Sequence, residues 1–297
     1  MNYVEGQTVI CDMLCRSFEQ QTASTGKRYY TGVVCDKESS FPIKVWNVLS
    51  MEPGKVYHLS VQCKTYNSKQ ELHVSSAIEM PEACIDDFVQ TSPVPFDTLL
   101  QEFQNLVHMA DSDQEIKQFM QYLLTDECLS KFFEIPAGAR MHQDYRHGLL
   151  EHIVHVTTIA KTCAGLYAGV DLPLLIAACL LHDVGKVQCM DYTNYTVSYN
   201  VTNASADHLM VGFAMFSQAA EAIGMSKERK LKLLNCVASH HSTMNGWTGT
   251  KPACVEAVIL SYSDGVDAST TALVEDLADG ATFETIGSRT RVRVIKE

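Results

Sequence analysis

Five histidines and two aspartates in the second half of the chain could hold metal ions. His182 is followed directly by Asp183, and His152 stands upstream. His208, the pair His240-His241 and Asp264 follow downstream. An imidazole offers a neutral nitrogen and a carboxylate a hard, charged oxygen, a mixture that suits manganese, iron, nickel, cobalt or zinc. A His-Asp pair alone says little, because a helix-terminal His beside a capping Asp gives the same pattern. Here each group stands on or beside an apolar helical segment, where a polar side chain is hard to bury without a purpose.

The spacing suggests a division of labour. His152, His182, Asp183 and Asp264 can hold one ion and leave positions open for water and a phosphate oxygen. His208, His240 and His241 can hold a second, bridged by Asp183, and one of His240 and His241 can instead lie just behind the ligands. Two ions clamp the attacking and leaving oxygens of a phosphoryl transfer. Lys186, one helical turn after His182, can neutralise a phosphate oxygen, although the helix dipole also favours a lysine there. Asp267, three residues past Asp264, can orient a ligand, hold a substrate group or cap a helix. The expected catalytic groups are therefore Asp183, Lys186, His208 and Asp267. His155, one turn from His152, reads as supporting. His142 and His147 precede the helix and can line the entrance. Tyr192, Tyr195, Tyr199 and Trp247 can stack on a base or simply pack.

Helices must position these groups. His147 to Tyr167 reads as a long amphipathic helix carrying His152. The run Leu172–Leu181 is apolar nearly all round, so it is expected to be buried, with the His-Asp pair at its end and Gly185 stopping it. Further helices are expected near 206–223, 227–239, 253–263 and 270–277, the last beginning near Asp267. The segment 191–199 reads as a loop or hairpin over the site. The end, Arg289 to Arg293, reads as short, basic and without order.

Residues 1–80 differ in kind. Apolar and β-branched residues alternate over 7–14, 29–36, 41–48, 55–64 and 71–78, joined by turn residues. Short strands so connected suit a small closed barrel. Lys27, Arg28, Tyr30, Lys44, Trp46, Lys64, Tyr66 and Lys69 are candidates for nucleic-acid binding, with bases stacking on aromatics beside a basic track. Barrel core and a solvated face explain the same residues. Pro81, Pro93 and Pro95 break regular structure, and from Asp97, an expected N-cap, the chain turns helical. The fold class is multidomain α and β. An OB-like β-barrel (1–88), a helical connector (89–139) and an all-α domain (140–297) follow in order.

The net charge of −12 argues against bulk adhesion to nucleic acid. Residues 1–75, however, carry eight Lys/Arg against seven Asp/Glu, so the excess acid lies beyond the barrel. No long apolar run predicts a membrane span, and the start lacks a signal-peptide pattern, so a cytoplasmic protein is expected. Several of the eleven cysteines, among them Cys163, Cys179, Cys236 and Cys254, fall inside apolar helical segments and read as small buried hydrophobes.

The order His152, His182-Asp183, His208, His240-His241, Asp264 resembles the HD-domain metal-dependent phosphohydrolases. With the barrel in front, and with Gly148-Leu149-Leu150-Glu151-His152 and Leu181-His182-Asp183-Val184-Gly185-Lys186, the chain resembles the YhaM-type 3′–5′ exoribonucleases of bacteria. That resemblance implies a metal-dependent, manganese-supported hydrolase that shortens RNA or single-stranded DNA from the 3′ end and can form a homo-oligomer. Departures exist. The family has a His pair where this chain has His142-Gln143, Gly where His147 stands, and a different sequence at Ser242 and Asn245-Gly246-Trp247. The alternative is a phosphohydrolase of small nucleotides or cyclic dinucleotides with a regulatory barrel. A nucleic-acid-binding protein with a vestigial site is the non-enzymatic reading.

Overall fold

The computed structural model describes residues 4–46, 50–66, 69–138, 142–243, 250–282, 285–293 and 295. The chain forms two compact units. One comprises residues 1–91 with 192–196, the other 92–191 with 197–297.

The first unit is a closed five-stranded barrel of order β1-β2-β3-β5-β4. Its strands are β1 (Thr8–Thr22), β2 (Arg28–Cys35), β3 (Ser40–Val45), β4 (Val56–Tyr66) and β5 (Lys69–Glu79). β1 is long enough to serve two neighbours. Its first half pairs with β4 and its second with β2, and a register shift between Cys15 and Ser17 bends it between them. A short parallel pairing, Ile43 with Leu72 and Lys44 with His73, closes the barrel. Alternation then sends Met13, Cys15, Val34, Ile43, Val45, Leu59, Val61 and Leu72 inward as one core. This is the OB-like barrel that the strand spacing predicts.

The second unit is helical. Its long helices are α1 (Phe96–Ala110), α2 (Gln114–Leu123), α4 (Gly148–Ala164), α5 (Leu172–Leu181), α8 (His208–Ala222), α9 (Lys227–Ser239) and α10 (Val255–Ala278). Short helices α3 (Asp126–Phe132), α6 (Lys186–Cys189) and α7 (Val201–Ser205) and a hairpin, β6 (Met190–Thr193) with β7 (Thr196–Tyr199), complete it in chain order. α5 is the axis. Eight of its residues are buried, and α1, α2, α4, α9 and α10 pack around it. Leu172–Cys189 is the one described stretch long and apolar enough for a membrane by composition. It is 78% buried and is core.

The structure corrects three expectations and refines a fourth. α1 begins at Phe96 after Pro95, whose fixed φ starts the helix, so Asp97 lies in the first turn rather than at the cap. Residues 255–278 form one helix instead of two. Asp264 and Asp267, spaced i,i+3, therefore share its buried face. Residues 288–290 are held by buried Asp276, which accepts hydrogen bonds from Ser288 Oγ, Thr290 Oγ1 and the backbone N–H groups of Arg289 and Thr290. The expected hairpin forms, and its tip groups with the barrel. Tyr195 packs against the cluster of Leu14, Cys35, Val56 and Val89, and Arg16 Nη1 donates to Thr196 Oγ1 at 3.3 Å. All the cysteines are free, and most are buried.

One guanidinium organises the edge of the helical unit. Arg229 on α9 bonds Asp171, the N-cap of α5, through two nitrogens. It also reaches Asp113, the N-cap of α2, at 2.8 Å and Glu115 at 3.1 Å. Hydrogen bonding to Arg229 holds the Asp113 carboxyl below its ordinary range. The stability this gives is present above that range and fades as pH falls. Arg229→Met is expected to cost about 1–3 kcal/mol, the worth of a partly exposed charge network rather than of one surface pair. Thermal melts at pH 7 and pH 3 check it: the deficit should be clear at the first and reduced at the second.

Candidate metal centre

Each group of the site is delivered by the end or the buried face of a helix. α4 carries His152, and the turn after α5 carries His182 and Asp183. Lys186 opens α6 and His208 opens α8. His240 and His241 lie in a 3-10 turn after α9, and α10 carries Asp264 and Asp267. The left-handed φ of +65° at His147 starts α4, a conformation that costs a residue with a Cβ and favours Gly.

Gly185 is not a helix stop. Its φ of −58° is helical, and what it supplies is space. A Cβ there would lie 2.1 Å from the His208 carbonyl oxygen and 2.7 Å from the Gly212 nitrogen. The missing side chain lets α8 approach the His182-Asp183 turn closely enough for His208 to reach Asp183.

Two groups of ligating atoms result, each mutually within 4.8 Å. One is His152, His182 and Asp264, all buried; the other is Asp183, His208, His240 and His241. Asp183 faces both. Its Oδ2 lies 3.4 Å from His182 Nε2 and 3.8 Å from His152 Nε2. Its Oδ1 lies 3.4 Å from His208 Nε2 and 3.7 Å from His240 Nε2. Asp264 Oδ1 is 3.2 Å from His152 Nε2, and its Oδ2 is 3.3 Å from His241 Nδ1.

Neighbouring acceptors fix the imidazole tautomers. His182 Nδ1 donates to the Cys179 carbonyl and His240 Nδ1 to the Val237 carbonyl, both at 2.8 Å. His152 Nδ1 lies 2.7 Å from Asp267 Oδ2. A carbonyl or carboxylate only accepts, so the proton sits on Nδ1 and the Nε2 lone pair points into the site. His182 Nε2, His240 Nε2, Asp183 Oδ1 and Asp264 Oδ2 are consequently buried without a hydrogen-bond partner. Lone pairs and anionic oxygens converge at 3–4 Å with few protons between them. The arrangement fits a divalent cation and fits little else.

The electrostatics agree. Burial opposes the charge on Asp183, but Lys186 and His182 outweigh it and hold the carboxyl well below its usual range. Burial likewise opposes Asp264, and the close imidazoles of His152, His241 and His182 prevail and hold it well below its usual range. Burial pushes His152 down, yet Asp264 and Asp267 more than reverse this and lift it to about 9. The site thus calls for positive charge at His152 Nε2, where a proton and a metal ion compete. Burial, with smaller contributions from neighbouring charges, pushes His208 down to about 3, His240 to about 4 and His142 to about 4, so these rings are neutral.

The other expected residues fall around this centre. Lys186 is buried, with Nζ 2.6 Å from both Asp183 Oδ2 and the Ala137 carbonyl oxygen. Asp267 sits behind the ligands and binds His152 and His155 through separate oxygens. His147 turns away, donating to the Phe133 carbonyl and packing against Phe96. Trp247, Asn245 and Gly246 lie outside the described residues. Gln143 joins the site without any sequence motif to mark it. It is fully buried, and its Nε2 donates to Asp267 Oδ2 at 3.2 Å. An uncharged side chain before a helix gives no sequence signal for such a place.

On the barrel, Tyr30 stacks on Phe18 and packs against the core. Its neighbour Tyr29, not among the expected contacts, stacks instead on Trp46, with ring centroids 4.8 Å apart. The Nζ atoms of Lys27 and Lys44 lie 5.6 Å from the Trp46 ring. Lys44 also pairs with Glu71 at 3.8 Å. Arg28 and Lys64 are exposed. The side chains of Tyr66 and Lys69 lie outside what the structure describes.

Comparison with known proteins follows the same division. Residues 149–269 match the HD domain family. Along 90% of its length the chain is 29% identical to a 3′-5′ exoribonuclease YhaM from Geobacillus sp. (strain WCH70), covering 84% of that protein. It is equally 29% identical to the 3′-5′ exoribonuclease YhaM of Bacillus subtilis (strain 168), over 89% of this chain and 85% of that one. A solved HD domain, that of the L. monocytogenes phosphodiesterase PgpH, aligns at 14% identity and a TM-score of 0.30 over 52% of this chain and 86% of its own.

Gly185→Ala tests how the centre is assembled. It is expected to destabilise the fold by about 1–3 kcal/mol through overpacking and to separate His208 from Asp183. Thermal unfolding measures the first effect and a crystal structure the second.

Proposed function

We propose that this HD-domain chain is a metal-dependent exonuclease that removes nucleotides from the 3′ end of RNA. The observation that carries the reading is Asp183, a buried carboxylate with each oxygen turned to a different group of imidazoles. It lies in a chain similar along nine-tenths of its length to 3′-5′ exoribonucleases.

His152, His182 and Asp264 would hold one divalent ion, and His208, His240 and His241 a second, with Asp183 shared. When bound, such ions polarise a phosphodiester and activate water. Mixed nitrogen and oxygen ligands favour manganese, with iron, nickel, cobalt or zinc as the alternatives. Asp267 positions His152 by fixing its tautomer, as outer carboxylates do for ligating histidines. Lys186 steadies Asp183 with one N–H and is anchored by Ala137 with another. Its third N–H is the one that can take a phosphate oxygen. His208 and His241 are part-exposed, at 20% and 26% of their side chains, and form the edge by which the phosphodiester reaches the buried groups.

Residues 1–91 act as the strand-binding domain and the helical unit as the catalytic one. Tyr29 and Trp46 make an aromatic platform on the β2–β3 face, where OB-folds bind oligonucleotides. Lys27, Lys44, Arg28 and Lys64 supply the charge beside it. Bases stack on such a platform without sequence preference, while the lysines and arginine follow the backbone. The local excess of basic residues allows this on an acidic protein.

5′-Labelled single-stranded RNA, with wild type and Asp183→Ala, plus and minus Mn²⁺, tests the catalytic reading. A ladder shortening from the 3′ end, seen only with wild type and metal, is expected; intact RNA in every lane would sink it. Trp46→Ala is expected to raise KM for a long strand about tenfold, within the ~1–3 kcal/mol of one stacked base, and to leave kcat unchanged. Steady-state kinetics on the same RNA decide, and an unaltered KM removes the platform from the mechanism.

A further inference from the structure

Gln143 determines which nitrogen of His142 is protonated. It is fully buried in a left-handed conformation, φ +43°. Its backbone N–H donates to Glu275 Oε1 at 2.9 Å, and its carbonyl accepts from the Ala137 N–H at 3.0 Å. The side chain is therefore held at its root. Its amide lies between Asp267 Oδ2 at 3.2 Å and His142 Nδ1 at 2.8 Å. An ionised carboxylate only accepts, so the amide nitrogen faces Asp267 and the amide oxygen faces His142. An amide oxygen also only accepts, so His142 Nδ1 carries the hydrogen. The remaining nitrogen, Nε2, presents a lone pair.

That lone pair belongs to a ring at the rim of the centre. The His142 ring centroid lies 5.1 Å from that of His152. Yet His142 is in neither group of ligating atoms within 4.8 Å of one another. It therefore stands beside the ligating groups without being one of them. A phosphate brings only acceptor oxygens there, which a lone pair repels. The donors that a 3′-terminal nucleotide carries close to its own phosphate are the hydroxyls of its sugar.

We propose that His142 Nε2 accepts a hydrogen bond from a hydroxyl of the 3′-terminal sugar, with Gln143 as the positioning residue that fixes its tautomer. This rests on the exonuclease reading. It makes His142 a residue that recognises the end of the strand, separate from the groups that hold metal. A ring free to rotate or exchange tautomers would recognise a donor and an acceptor alike. The hydrogen-bonded row from Asp267 through Gln143 removes that ambiguity.

RNA oligonucleotides identical except for the last sugar (ribose, 2′-deoxyribose or 3′-deoxyribose) give the test, with kcat/KM measured for the first cleavage. Wild type is expected to lose about tenfold on one of the two deoxy ends, the worth of one hydrogen bond, and that end identifies the hydroxyl. His142→Phe keeps the ring shape, removes the acceptor and should treat all three ends alike. His142→Gln, which keeps an acceptor, should recover part of the preference. Gln143→Leu should weaken it without abolishing cleavage. Discrimination surviving in His142→Phe, or no discrimination by wild type, overturns the proposal and leaves the exonuclease reading intact. If wild type shortens none of the three, the exonuclease reading fails and this inference falls with it.

Discussion

Two aspartate carboxylates are buried among imidazoles whose lone pairs also point inward. Most else in the helical unit follows from that juxtaposition. Asp183 and Asp264 are about 1% exposed, and a lone carboxylate so deeply placed would give up its charge. Here it is kept by a buried ammonium, by imidazoles and by the capacity to bind cations. The rest is scaffolding that makes this tolerable. α5 is apolar on every side because it only fills space, and its last turn places His182 and Asp183 where no water competes. The Cys179 and Val237 carbonyls, freed at helix ends, fix the two imidazoles that follow them. A helix end is thus used twice, as a source of spare acceptors and as the place where adjacent side chains diverge enough to meet different partners.

The sequence made this centre legible because metal ligands must be particular residue types, and few other reasons place them on apolar helices. The barrel was legible because its strands alternate and its turns are marked. Other features carry no such signature. Gly185 reads as a helix stop in one dimension and is a close contact in three. Asp264-Gly265-Val266-Asp267 reads as a break, yet the helix continues because both aspartates find partners on its inner face. Arg289 to Arg293 reads as an unattached basic tail until Asp276, distant in packing terms from anything the sequence links to it, gathers its backbone. Gln143 is the plainest case. Its importance lies in being unable to ionise beside groups that can, and composition does not record that.

The barrel follows a different rule. Its inward residues are interchangeable hydrophobes, and its specific features sit on the outside. Tyr29 and Tyr30 are adjacent in sequence, but the pleat sends one to the surface and the other to the core. Register therefore decides which tyrosine reaches the Trp46 ring. Trp46 stands directly after the last residue of β3, exposed on one face and stacked on the other. Such a ring is already ordered by its contact with Tyr29, so any flat group stacked on it would cost the protein little further freedom.

The hairpin tip Tyr192–Thr196 gives the molecule an unusual grammar. Its residues lie in sequence between two helices of the helical unit, yet Tyr195 packs against Leu14, Cys35, Val56 and Val89. The polypeptide consequently crosses from one unit to the other at three peptide bonds instead of one. A domain joined by a single linker can be traded between genes as a cassette. This barrel cannot, because a transplant would leave Tyr195 bare in the donor and the cluster uncovered in the recipient. The two halves are therefore bound to diverge together, and insertions in the loop after α6 are constrained by a core that lies more than a hundred residues upstream.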